Sequence, residues 1–162
     1  MKPVTLKAVK DELKHLSQPE LLLLCTKLAK YKKDNKEFLG YLLFNAHNEE
    51  AFLNEVKQEI DDLFTQINKK TNYLIKKGVR KIITVTKKHI AFSKQKETEV
   101  ALLIHFCEQL KNMHPPIKFN KRVQNIYNTQ VKLIEKRISL LHEDLQFDYQ
   151  QSLTTLKQFV RQ

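Results

Sequence analysis

The sequence predicts an all-α protein, a multi-helix bundle, and three observations lead to that class. Turn formers are scarce, with two glycines (Gly40, Gly78) and four prolines (Pro3, Pro19, Pro115, Pro116) in 162 residues. Sheet proteins need a turn every few residues and build hairpins from glycine, proline and Asn-Gly pairs. Apolar residues recur at steps of three and four along most of the chain, which is the helical period. Polar capping residues stand just before several of these runs. The pattern is an N-terminal helical hairpin followed by long heptad-like helices, compatible with an elongated form. The length fits one helical domain over 1–162, with a subdivision into a short-helix part, 1–47, and a long-helix bundle, 48–162. A chain of this size can bury roughly 68–70% of its unfolded surface, so it needs no disulfide or metal to fold.

The first helix is expected over about Thr5 to His15, where Leu6, Val9, Leu13 and Leu16 share a face. Ser17 and Glu20 form a capping box for the second, with Pro19 in the first turn, where no amide partner is needed. That helix runs to about Tyr31. Asp34 and Glu37 repeat the cap logic and open a third helix, about Asn35 to Ala46, so the short Lys32–Lys33 link implies an antiparallel hairpin. Gly40 lies inside the apolar run Phe38 to Phe44, where it costs about 1 kcal/mol against alanine; a close helix crossing would explain it.

Asn48 caps a longer pattern, in which Leu53, Val56, Ile60, Leu63, Ile67 and Leu74 alternate in heptad-like steps. The register continues through Gly78 towards Ile82 and Val85. Val79 to Thr86 holds six β-branched residues in eight positions, a strand-like composition, but it has no credible partner strand. Helix is therefore expected there, with Gly78 as a kink or break. Glu97 to Met113 is apolar over most of its circumference, which marks a helix central to its domain, and Pro115–Pro116 ends it. A last helix is expected from near Asn120 almost to Gln162. Its seam is Tyr127, Val131, Ile134, Ile138, Leu141 and Leu145, flanked by Ile126, Leu133, Leu140 and Phe147. The register slips beyond Leu145, towards Tyr149, Leu153, Leu156 and Val160, where the face drifts, bends or meets a new neighbour.

Charge is unevenly placed. The formal net charge is +11, yet residues 1–62 carry ten basic and eleven acidic side chains, and residues 97–162 carry nine and seven. Residues 63–96 hold ten basic side chains and no acid. Within them Lys69, Lys70, Lys76, Lys77, Arg80, Lys81, Lys87 and Lys88 come in pairs whose separations return to one face of a continuous helix. Without neighbouring acids the ribbon is not neutralised by i,i+4 pairs. It suits an acidic protein, a nucleic-acid backbone or an anionic membrane surface. A lysine-rich solvated face would look the same, because lysine is a good helix former. With 25 lysines and four arginines the contacts would be point-like, not bidentate.

Catalytic and metal chemistry find little support. His15, His47, His89, His105, His114 and His142 lack metal-ligand spacing, and only Glu12 to His15 matches the Glu-x-x-His element of a di-iron bundle. His105 lies on the apolar helix near Cys107 and Glu108, and is the one position worth testing for acid–base or metal use. Cys25 and Cys107 sit in apolar runs, away from the cations that activate a thiolate. Adjacent Glu49–Glu50 and Asp61–Asp62 point in different directions on a helix, and two isolated glycines cannot build a phosphate loop or nucleophile elbow. No cofactor is expected. Met1 to His15 has no leader-like apolar core and no stretch reaches the ~20 apolar residues of a membrane span, so a cytoplasmic location is expected. The functional expectation is a non-enzymatic helical interaction or scaffold protein that presents a basic face to a macromolecular partner. A nucleic-acid-binding protein making sequence-independent phosphate contacts through Lys69 to Lys96 is the alternative. The broad heptad-like faces also fit self-association into a homo-oligomer.

Overall fold

The structure is a computed structural model, and it describes residues 3–160, apart from the side chain of Val160. Among these residues there are eight α-helices and no strand, as the composition and periodicity require. Contacts divide the chain into two compact units, 1–45 and 46–162.

The first unit holds α1 (Leu6–Leu13), α2 (Gln18–Tyr31) and α3 (Lys33–Gly40), followed by one π-helical turn, Tyr41–Asn45. Thr5 Oγ1 caps α1 by accepting from the Ala8 amide at 3.2 Å. At α2 the Ser17 amide donates to Glu20 Oε2 at 2.8 Å and the Ser17 hydroxyl to the same oxygen at 2.6 Å. These bonds to the ionised carboxylate hold Glu20 below the usual carboxylate range. The expected capping box of Ser17 and Glu20 is thus in place at the start of α2. Helix α3 starts two residues before the expected point, because Lys32 alone, in an extended conformation, makes the turn. Asn35 then fastens the hairpin by donating from Nδ2 to the Leu28 carbonyl at 2.9 Å. The α-helical geometry ends at Gly40, not Ala46. A Cβ built on Gly40 meets nothing within 4 Å, so the expected helix crossing there is corrected. The glycine stands where the α-helix widens into the π-turn.

The second unit is an up-down-up-down-up bundle of α4 (Glu49–Thr65), α5 (Asn72–Ser93), α6 (Lys96–Lys111), α7 (Lys121–Ile138) and α8 (Glu143–Val160). The single helix expected from Asn48 towards Val85 is two helices. The break falls at Gln66 to Thr71, not at Gly78. Asn68 Oδ1 accepts from the Lys70 amide at 3.0 Å, and Thr71 Oγ1 caps α5 by accepting from the Leu74 amide at 3.2 Å. Polar side chains that compete for backbone groups thus end one helix and begin the next. Ile67 folds from this loop onto Gly78, whose Cβ would sit 3.0 Å from Ile67 Cγ1. A side chain there would crowd Ile67 more tightly than most Cβ contacts, so glycine suits the close approach, and α5 passes through it unbroken. The β-branched stretch 79–86 is helical, with Val79, Ile82, Ile83 and Thr86 buried. Tertiary burial overrides its strand-like composition.

Helix α6 packs against α4, α5, α7 and α8, and nine of its residues are buried. A helix apolar nearly all round needs neighbours nearly all round. The expected C-terminal helix also divides, at Ser139–His142. Leu140 and Leu141 close the last turn of α7 onto the Arg137 and Ile138 carbonyls, and Gln146 opens α8 by donating to the His142 carbonyl at 2.9 Å. The slipped register is a reversal. Helix α8 folds back along α7, with the Tyr127 hydroxyl donating to the Leu156 carbonyl at 3.1 Å and Lys157 pairing with Glu135 at 2.6 Å. Leu153 and Leu156 are buried in this return, while Leu140 and Phe147 of the expected flank are exposed.

Burial pushes the Cys107 thiol up from its ordinary 9.0, with Glu108 adding to it. Burial likewise raises the Tyr127 phenol from 10.0, aided by Cys107 and Glu108. Both groups stay protonated in the folded state at pH values where the unfolded chain releases the protons. That stability is fully present below the ordinary values and falls as pH rises beyond them. Urea midpoints are expected to hold steady up to about pH 9 and to decline above it, with Tyr127→Phe flattening part of the decline.

Candidate polyanion-binding face

Helix α5 has two unlike sides. Ile75, Val79, Ile82, Ile83 and Thr86 are buried, while Tyr73, Lys77, Arg80, Lys81, Thr84 and Lys87 are exposed. Lys76 and Lys88 are half-buried at the borders. At ~100° per residue the basic residues from Lys76 to Lys88 spread over one side, opposite the buried line. The apolar line is Ile75, Val79, Ile82, Ile83 and Thr86; of the residues expected on it, Leu74 and Val85 are only half-buried. Lys69 and Lys70 do not join the helical ribbon, because they lie in the loop before α5. Their spacing counts as one face only if the helix is continuous, and it is not. Lys88 already takes part in an interaction within the fold. Lys76, Lys77, Arg80, Lys81 and Lys87 form no ion pair among the described residues.

A second helix adds to this face. Helices α5 and α7 run parallel beside one another, both packed on α6, and their starts are pinned by Asn120 Nδ2 donating to the Asn72 carbonyl at 2.9 Å. Between them lies an open groove of two adjoining parts, about 390 and 360 Å³. Lys76 and Arg80 face Arg122 and Asn125 at one end. Further along, Arg80, Thr84 and Lys87 face Thr129 and Gln130, with Ile83 and Ile126 between. Arg122 also has no ion pair among the described residues. Nothing in the sequence signals Arg122, since its neighbourhood to Arg80 arises only when α7 is laid beside α5. Gln130 is 4% exposed, and its Oε1 has no hydrogen-bond partner among the described residues.

The chain matches no protein-family model, no curated protein and no solved structure.

The histidines follow a different logic. His105 Nε2 lies 2.6 Å from Asp61 Oδ1, and His89 Nε2 lies 2.8 Å from Glu59 Oε2. Both carboxylates belong to α4, so one pair ties it to α6 and the other to α5. Glu49 at the head of α4 accepts from Ser93, and from Thr98 Oγ1 at 2.6 Å, which joins the same three helices again at the N-terminus of α4. No three metal-ligating side chains converge among the described residues. Cys25 is exposed on α2, where it lines an apolar groove of about 300 Å³ with Leu28, Phe38, Leu39 and Leu42. Cys107 is buried in α6. No helix among the described residues is long and apolar enough to cross a membrane.

Proposed function

We propose that this chain is a non-enzymatic helical interaction protein whose second unit presents the α5 face to a polyanionic macromolecule. The observation that carries the reading is the set Lys76, Lys77, Arg80, Lys81, Lys87 and Arg122, six cations on neighbouring helices without a carboxylate partner among the described residues. A solvated face ordinarily mixes both signs, because i,i+4 pairs add to helix stability. Here the cations are left unpaired and concentrated, a field that attracts anions from a distance and holds them by counterion release. The buried side of α5 is independently fixed by α4 and α6, so the basic side is free to be occupied without disturbing the core.

Neutralising Lys76, Lys77, Arg80 and Lys81 to glutamine tests this. Glutamine keeps helix propensity close to that of lysine, so the fold should persist, as judged by far-UV circular dichroism. Titration against labelled nucleic acid and against polyglutamate should show binding by the parent protein. The variant should bind its polyanion about tenfold more weakly, or worse. Equal affinity of parent and variant, or no binding of either polyanion at low salt, would overturn the proposal.

A further inference from the structure

We infer that the polyanion is a single-stranded nucleic acid, with its backbone in the α5–α7 groove and its bases stacked at the groove's end on Tyr73 and Phe119. This rests on the basic-face reading above and adds a chemical identity to it. Tyr73 is 61% exposed and Phe119 is 68% exposed. Each is the chain neighbour of one partner in the Asn120–Asn72 hydrogen bond, so the two rings project from the same end of the paired helices. Each has a lysine ammonium against its face: Lys76 Nζ lies 5.0 Å from the Tyr73 centroid, and Lys118 Nζ 5.7 Å from that of Phe119.

Exposed rings beside a cationic groove are the combination that single strands require. Phosphates follow the cations, while unpaired bases stack on aromatic faces whatever their identity. A duplex cannot use the rings, because its bases already stack on one another. An acidic protein could use the cations but has no such need of two flat apolar faces. Lys76, Arg80 and Lys87 spread over roughly 16 Å of helix at the ordinary rise, enough for several successive phosphates. Gln130 Oε1 on the groove floor offers an acceptor, and a base N–H or a sugar hydroxyl is the donor that a strand would bring to it.

The test uses the full chain and three probes: a labelled thymidine single strand of about twelve nucleotides, a duplex of the same length, and polyglutamate. The expected order is single strand tighter than duplex and duplex tighter than polyglutamate. Tyr73→Ala with Phe119→Ala should weaken the single strand by about tenfold per ring and leave the duplex nearly unchanged. Tyr73→Phe keeps the stacking surface and should restore most of the affinity. Because the chain has no tryptophan, Tyr73→Trp supplies a lone reporter, whose emission the single strand should quench and the duplex should not. Duplex binding as tight as the single strand, or ring removal without effect on it, overturns the inference. If that occurs while Lys76→Gln with Arg80→Gln still abolishes binding, the basic-face proposal survives. Preferred binding of polyglutamate would likewise sink the inference alone. Failure of all three probes sinks both.

Discussion

Replacing Phe106 with alanine is expected to destabilise the second unit by about 4 kcal/mol. The ring is fully buried in the middle of α6 and packs against Phe64 of α4 at 5.7 Å between centroids. Truncation removes the transfer energy of the ring and leaves a cavity among Leu102, Leu103 and Leu110, which are themselves fully buried and held by four surrounding helices. Those helices cannot all move inward at once, so the cost should fall towards the upper part of the ~3–5 kcal/mol range for Phe→Ala. Total stability of a domain this size is only about 5–15 kcal/mol. The variant would thus be marginal at room temperature, with a large drop in the urea midpoint at unchanged m-value. Phe147→Ala on α8 is the matched control. Its ring is 82% exposed, and its loss should stay within about 0.5 kcal/mol. Similar midpoints for the two variants would mean that α6 is not the centre of the bundle.

The contrast between these phenylalanines also shows what the sequence could and could not carry. Val100 to Leu110 is legible as a central helix because it leaves no polar stripe for solvent. The Ser17 start of α2 is legible because capping is local chemistry. The two long helices were not resolved into four, and the reason is physical. A 3.6-residue period can persist across a short loop by coincidence, as it does from Ile60 through Ile67 to Leu74. The loops that interrupt it use Asn68, Thr71, Ser139 and His142, not glycine or proline, so composition gives no warning. The two glycines meanwhile pointed the wrong way. Gly78 looked like a break but admits Ile67 to a continuous helix, and Gly40 looked like a crossing but has open space around it. The basic face was legible only along one helix. Lys76 to Lys88 share a side because they share α5, whereas Arg122 comes beside Lys76 and Arg80, and Phe119 to the same end as Tyr73, only through the parallel placement of α5 and α7. That is tertiary information, and the spacing of residues within a helix does not contain it.

If the groove binds a polyanion as proposed, the affinity should fall steeply with salt, and the steepness counts the contacts. Lys76, Arg80, Lys87 and Arg122 line the groove, which suggests about four neutralised phosphates. For a single strand the logarithmic slope should then be near −2.8, which is about fifty-fold weaker binding on going from 50 to 200 mM salt. A duplex laid on the same four cations would give about −3.6 and a loss of roughly 150-fold. Arg122→Gln removes one contact from the α7 side and should make the single-strand slope shallower by about 0.7, without altering thermal stability, because Arg122 is exposed and unpaired among the described residues. Tyr73→Ala should do the reverse, lowering affinity at every salt concentration while leaving the slope alone, since stacking releases no counterions. These two responses separate the electrostatic part of the site from the aromatic part. A slope near zero in the parent protein would mean that the cations of α5 and α7 touch no phosphate, and the basic face would then be an ordinary solvated surface.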